Sequence, residues 1–120
     1  MKTGRVYWDY LRDMLINAKK AIAFTSGLNY EQFAADDKTT YAVVRALEIL
    51  GEASKLVPSE IRDVYPEIRW RDIAGMRDKL IHAYFGVNLQ VVWQTVLQDL
   101  PLLVLQLEGL FADFSQDLPQ

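Results

Sequence analysis

The segment WRDIAGMRDKLIHAYF, residues 70–85, carries the periodicity that decides the fold of this chain. Its apolar residues recur every three or four positions, and this spacing places them on one face of an α-helix. These residues are Ile73, Met76, Leu80 and Ala83. The segment therefore predicts a helix that begins near Trp70, runs through Tyr84 and ends at Phe85-Gly86.

The same helical period extends toward the N-terminus. One helix is predicted from Tyr7 to Ser26, with Gly27 as its stop. Its apolar stripe is Leu11, Met14, Ala18, Ala21 and Phe24. A second helix is predicted to begin after a cap at Asp36 or Asp37 and to end at Pro58. Its stripe is Tyr41, Val44, Leu47, Leu50, Ser54 and Val57.

Toward the C-terminus, the pattern predicts a short helical turn around Ser59 and a last helix from near Asn88 to about Phe111. Alternation typical of strands is absent. With its 120 residues, the chain is therefore predicted to be a single all-α domain, residues 1–120. We expect four main helices in an up-and-down bundle with one short extra helical turn.

The last predicted helix is apolar around most of its circumference. A helix of this kind is buried on more than one side, so it is either a central core helix or is covered by a second subunit. Pro101 lies inside it and cannot donate a hydrogen bond to residue 97, so we expect a kink just before Pro101.

Composition excludes several classes of protein. The chain has no cysteine and one histidine, which excludes disulfide frameworks, thiol nucleophiles and a three-histidine metal site in one chain. The N-terminus lacks the apolar stretch of a signal peptide. The longest apolar run, residues 102–105, is far shorter than the roughly 20 residues that span a bilayer. We therefore expect a cytoplasmic protein that does not contact a membrane.

Charge is unevenly distributed along the chain. The net charge of −3 argues against a domain that wraps duplex DNA by charge alone. Residues 69–82 nevertheless have an excess of two positive charges, whereas residues 101–120 have three acidic side chains and no basic one. A local basic surface on an acidic body favours a small nucleic-acid contact.

The polar residues of the third predicted helix lie away from its core face. Asp78 and His82 are four residues apart and share the opposite side of the helix, together with Arg71. Arg77 lies roughly 140° from His82 on a straight helix, which is a poor arrangement for gripping one small group. Either the helix distorts near His82, or a cleft formed with a second subunit brings these groups together.

Each of these residues also has an ordinary structural interpretation. His82 can be a surface histidine paired with Asp78. Arg77 can be an arginine that extends from the edge of the core to a carboxylate, and Tyr84 can be a boundary core tyrosine. Spacing alone leaves these interpretations open.

The pattern Arg77, four residues, His82, one residue, Tyr84 resembles the Arg-x4-His-x-Tyr motif of the HEPN ribonuclease toxins, the HepT-like partners of HEPN–MNT pairs. The resemblance extends from about Tyr10 to Leu107. It includes the context Arg45, Glu48, Gly51 and Glu52 before the motif, and Phe85-Gly86-Val87-Asn88 with Trp93 after it. Asn88 stands where aspartate is more usual in that family.

The resemblance implies a metal-independent ribonuclease that uses the 2′-hydroxyl of RNA as nucleophile and needs no cofactor. His82 would act as general base or acid, because histidine titrates near neutral pH. Arg77 would clamp the phosphate, and Asp78 would orient His82 or contact the substrate. Arg69, Arg71 and Lys79 would hold RNA. A homodimer would supply two copies of Arg77 and His82 to one shared cleft.

The resemblance further implies a type VII toxin–antitoxin pair. The partner would be a minimal nucleotidyltransferase antitoxin that transfers AMP to Tyr84 and thereby blocks RNA by charge and bulk. Two other classes stay open at this point. One is a catalytically silent helical module that dimerises through its last helix and binds a protein or nucleotide. The other is a helical bundle that holds a small ligand among its aromatic residues.

Overall fold

The computed structural model describes the backbone of residues 2–82 and 86–115, and the side chains of residues 7–80 and 86–113. The described chain is almost entirely helical, which confirms the all-α prediction. Its long helices are α1 (Lys2–Thr25), α3 (Asp37–Lys55) and α8 (Leu100–Ser115). The shorter elements are α2 (Tyr30–Ala35), α4 (Ser59–Val64), α5 (Trp70–Ala74), α6 (Met76–Leu80), β1 (Ile81–His82), β2 (Gly86–Val87), α7 (Leu89–Gln94) and a π-helical turn (Thr95–Asp99).

Helices α1 and α3 form the principal pair of the fold. The predicted stripe of α1 is confirmed at Leu11, Met14, Ala18 and Ala21, which are fully buried. The stripe then continues to buried Thr25, four residues after Ala21, so Phe24 is 42% exposed and its prediction as a core residue is wrong. Gly27 has a φ of 81°, which favours glycine and confirms the predicted stop.

Helix α3 confirms the predicted N-cap and corrects the beginning of the predicted stripe. Asp36 caps the helix by accepting a hydrogen bond from the Thr39 backbone N–H. Tyr41, predicted to be buried, is 78% exposed. Three-residue steps back from Leu47 rotate by about 60° each, so they leave the core face after two steps. The core continues instead through Val43 and Thr40.

Helix α2 was not predicted from the sequence. It begins with a capping box, in which the Asn29 side chain accepts from the Gln32 backbone and the Gln32 side chain accepts from the Asn29 backbone. Its buried Phe33 packs against Trp93 of α7, with the ring centroids 5.2 Å apart. The short helix α4 corresponds to the predicted extra turn at Ser59.

The last predicted helix is interrupted by a π-helical turn shortly before Pro101. Pro101 has no N–H to offer, and the helix widens into the π-helical turn just before it. There the Leu100 N–H donates to the Thr95 carbonyl, five residues back. The rearrangement lies immediately before the position where we expected a kink.

Helix α8 has two different apolar faces. Its inner face is buried in the core and consists of Leu100, Leu103, Leu107 and Leu110. On the outer face, Leu102 is 59% exposed and Leu105 is 66% exposed. By length and composition alone, the helical run Leu89–Asp113 is long and apolar enough to cross a membrane. About 33% of that apolar window is buried inside the bundle.

Candidate active site

The predicted third helix is shorter than the sequence pattern suggests. It is interrupted at Gly75 and ends at Leu80, so the prediction that it runs through Tyr84 is wrong. The break at Gly75 is slight, because its N–H still donates to the Arg71 carbonyl at 3.0 Å. The predicted core face is confirmed for Ile73, Met76 and Leu80, which are at most 6% exposed.

After Leu80 the chain enters a small antiparallel hairpin. Ile81 pairs with Val87 and His82 pairs with Gly86. Gly86 has a φ of 74°, a conformation that glycine adopts without strain. Strand-like segments were not predicted, because two-residue strands leave no detectable alternation. Ala83 and Tyr84 lie outside the described residues.

His82 therefore does not share a helix with Arg77 and Asp78. Arg77 and Asp78 lie on α6, whereas His82 lies on β1, two residues beyond the helix end. The predicted pairing of Asp78 with His82 on one helical face does not apply, and neither does the angle of 140° between Arg77 and His82. Of the two possibilities that the sequence left open, distortion of the helix near His82 is the one observed within this chain.

The helix that carries Arg77 is fixed closely against α3. A Cβ atom built on Gly51 would stand 3.0 Å from the Ile73 carbonyl oxygen, so only glycine allows this approach without a shift. Buried Met76 also lies beside Gly51. Gly51 thus brings the segment that contains the motif into contact with the principal helix pair.

Arg77 and Asp78 project from this fixed helix into solvent. Both are exposed, and neither forms an ion pair with any described side chain. Arg71 is likewise exposed and forms no ion pair within the described part of the chain. A guanidinium that is not already neutralised is available to a phosphate.

The other two basic residues predicted to contact RNA line a separate cleft. This cleft of about 350 Å³ lies between α5–α6 and the start of α8 and contains Arg69 and Lys79. Lys79 pairs with Asp99 at 3.6 Å, and Arg69 pairs with Asp72 at 4.0 Å. Lys79 follows Arg77 by two residues, so the two side chains leave α6 about 160° apart.

Asn88 connects the two ends of the motif segment. Its backbone N–H donates to the Leu80 carbonyl at 2.8 Å, and its side-chain oxygen accepts from the Val91 N–H at 3.2 Å. The sequence pattern predicted the start of the last helix near Asn88 but did not predict the contact between Asn88 and Leu80. The order of residues gave no signal for that contact, because it joins positions eight residues apart.

No group of three or more metal-ligating side chains occurs among the described residues. The side chain of His82 lies outside the described ones. The absence of a metal and of a cofactor therefore stays a prediction.

Comparison with known proteins relates the chain to a family of ribonucleases. The family model described as "Ribonuclease HepT-like" matches residues 14–110. The chain is 50% identical over 99 residues to "Probable ribonuclease HepT" of Thermococcus cleftensis, which covers 82% of this chain and 90% of that protein. It is 44% identical over 108 residues to "Putative RNase TTE0752" of Caldanaerobacter subterraneus, covering 90% and 94%. No solved structure gives a significant match.

Proposed function

The chain belongs to the HepT-like ribonuclease family, and from that premise we propose that it cleaves RNA without a metal ion, through Arg77 and His82. The observation that carries the proposal is the placement of the two residues. Arg77 is exposed on a helix that is fixed by buried contacts, and the chain leaves that helix at Leu80 to reach His82. The guanidinium and the histidine thus come from different elements.

In the proposed reaction, the 2′-hydroxyl of a ribose attacks the adjacent phosphorus and the bond from phosphorus to the 5′-oxygen breaks. One His82 accepts the proton of the 2′-hydroxyl, and a protonated His82 donates a proton to the departing 5′-oxygen. Arg77 stabilises the charge that builds up on the phosphorane. Asp78 orients His82 or contacts the substrate. The products are a 2′,3′-cyclic phosphate end and a 5′-hydroxyl end.

The reaction needs a base and an acid, and each chain has a single histidine. We propose that a homodimer supplies the second His82. The outer face of α8 supports a second copy, because Leu102 and Leu105 are exposed there beside uncharged Gly109. Leu105→Asp is expected to yield monomers in sedimentation experiments. Leu56→Asp, at another exposed leucine, is expected to leave the dimer intact; equal behaviour of the two variants would contradict this interface.

Arg71 is proposed to hold RNA next to the scissile phosphate, since it is exposed and forms no ion pair within the described part. Arg69 and Lys79 are proposed to contact RNA farther along, because they line the cleft on the other flank of α6. Their pairs with Asp72 and Asp99 would have to open or be shared with the phosphates.

Regulation is proposed to follow the type VII toxin–antitoxin scheme in the cytoplasm. A nucleotidyltransferase antitoxin would transfer AMP to Tyr84, and the added charge and bulk would exclude RNA. The chain and a candidate antitoxin are co-expressed and the intact mass is measured. An increase by AMP units that persists in Tyr84→Phe would contradict this assignment.

The decisive test is cleavage of total RNA and tRNA by the purified full chain in EDTA. His82→Ala and Arg77→Ala are expected to abolish cleavage. Arg12→Ala, which removes an exposed arginine of α1, is the matched control and should cleave like the wild type. Cleavage that requires Mg²⁺ and leaves a 5′-phosphate would refute the mechanism.

A further inference from the structure

Asn88 makes three hydrogen bonds at the base of the hairpin that carries His82. Its backbone N–H donates to the Leu80 carbonyl at 2.8 Å. Its side-chain oxygen accepts from the Val91 N–H at 3.2 Å, and its carbonyl accepts from the Val92 N–H at 3.0 Å. Asn88 thus provides hydrogen-bond partners for backbone groups in the last turn of α6 and in the first turn of α7.

The pair of strands next to these bonds, β1 and β2, has little stability of its own. Its two strands contain two residues each, and an isolated hairpin of two strands is marginal in water even when it is longer. The positions of the strands therefore depend on the elements that hold their ends. The bond from Asn88 to Leu80 lies directly beside the pair Ile81↔Val87.

The two helices on either side of the strands, α6 and α7, are held firmly by the core. Leu80 is 1% exposed, and it fixes the end of α6. Val92 is fully buried, and Trp93 packs against Phe33 with ring centroids 5.2 Å apart, which fixes α7. The bonds of Asn88 transmit the fixed positions of the two helices to the hairpin between them.

We propose that Asn88 is a positioning residue of the ribonuclease: by holding the start of α7 against the end of α6, it keeps the β1 backbone at His82 at a fixed place relative to Arg77. This inference rests on the proposed roles of His82 and Arg77. When the side-chain cap is lost, the first turn of α7 frays and the backbone N–H of Asn88 moves away from Leu80. His82 then samples positions in which it cannot transfer a proton to or from the substrate.

The inference distinguishes two substitutions at the same site. Asn88→Ala removes the acceptor for the Val91 N–H, whereas Asn88→Asp keeps an oxygen there and is an equally good N-cap. A misplaced catalytic group lowers the chemical step more than binding. We therefore expect Asn88→Ala to lower kcat about 10- to 100-fold with KM nearly unchanged, and Asn88→Asp to restore kcat.

The experiment compares kcat, KM and thermal stability of the full chain on a short RNA. Asp36→Ala is the matched control, because it removes a side-chain N-cap from α3 rather than from the motif segment. It should retain wild-type kcat at temperatures where it is folded. Amide hydrogen exchange of the RNA-free proteins is measured alongside and should be faster at Asn88 and Val91 in Asn88→Ala.

An active wild type with an equally active Asn88→Ala would overturn this inference alone. A loss of kcat shared equally by Asn88→Ala and Asp36→Ala would also overturn it, because the effect would then be one of general stability. Unchanged exchange in Asn88→Ala would disprove the positioning role of its side chain. A wild type that does not cleave RNA would instead refute the proposed function.

Discussion

The helix pair α1–α3 and the segment from α5 to β2 are held in place by different means. In the pair, two helices of 24 and 19 residues bury continuous apolar stripes against each other. In the segment, no described helix or strand exceeds five residues. A few buried side chains anchor it to the core, and backbone hydrogen bonds and the close approach at Gly51 set its course. Stability of the domain therefore comes mainly from the pair, whereas the placement of the proposed catalytic groups comes from the segment.

The largest expected loss of stability comes from a cavity in the helix pair. Leu47 of α3 is fully buried, so Leu47→Ala should lower the free energy of unfolding by about 2–5 kcal/mol in urea denaturation. The activity of the molecules that stay folded should change little. Leu56→Ala, at a leucine that is 55% exposed, should cost far less. A similar loss in both variants would contradict the assigned core.

A smaller loss is expected where the two regions meet. Gly51→Ala places a Cβ atom 3.0 Å from the Ile73 carbonyl oxygen, which should lower stability by about 1–3 kcal/mol and displace α5. RNA cleavage by the folded protein should fall as well, unlike in Leu47→Ala. Gly109→Ala is the control for packing within one chain, since no described atom lies within 4 Å of its Cβ position; alanine there should not lower the stability of the single chain. Unchanged cleavage by folded Gly51→Ala would mean that the position of the motif segment does not depend on its close contact with the helix pair.

Within the segment from α5 to β2, Gly86 should be sensitive to substitution because of its backbone conformation alone. Its φ is 74° and no described atom lies within 4 Å of its Cβ position, so the cost of alanine there comes from the strained backbone. Gly86→Ala should cost about 1 kcal/mol and lower kcat more than its stability loss explains. Urea denaturation and steady-state kinetics on the same preparation measure both quantities. A fall in stability with wild-type kcat would show that the hairpin tolerates this strain.

The same division explains what the sequence could predict. Long amphipathic helices follow from a repeated spacing, so α1, most of α3 and the core face through Ile73, Met76 and Leu80 were correct. The end of the motif helix was wrong because it depends on the hydrogen bond between Leu80 and Asn88, which no local spacing reports. Arg77, Asp78 and His82 were named from their types and their resemblance to a family motif. The sequence left a distortion of the helix near His82 open, but it did not predict that the chain changes from helix to strand there.

The smallest expected effect is a pH dependence at the beginning of α3. The hydrogen bond from the Thr39 hydroxyl, with a second from the Thr39 backbone N–H, lowers the pKa of Asp36 below its ordinary value. A carboxyl group whose pKa is lower in the folded state stabilises the fold above its unfolded pKa of about 3.9, and this contribution is lost as the pH falls through the folded pKa.

The difference in melting temperature between the wild type and Asp36→Ala should therefore be constant near neutral pH and shrink below about pH 4. Asp36→Asn keeps a capping oxygen but cannot ionise. Its melting temperature should therefore rise less than that of the wild type as the pH rises from 3 to 5. Because Asp36 belongs to the helix pair, kcat measured at neutral pH should be the same in all three proteins. A kcat that changes with the cap of α3 would mean that the helix pair and the motif segment are coupled more tightly than their separate contacts imply.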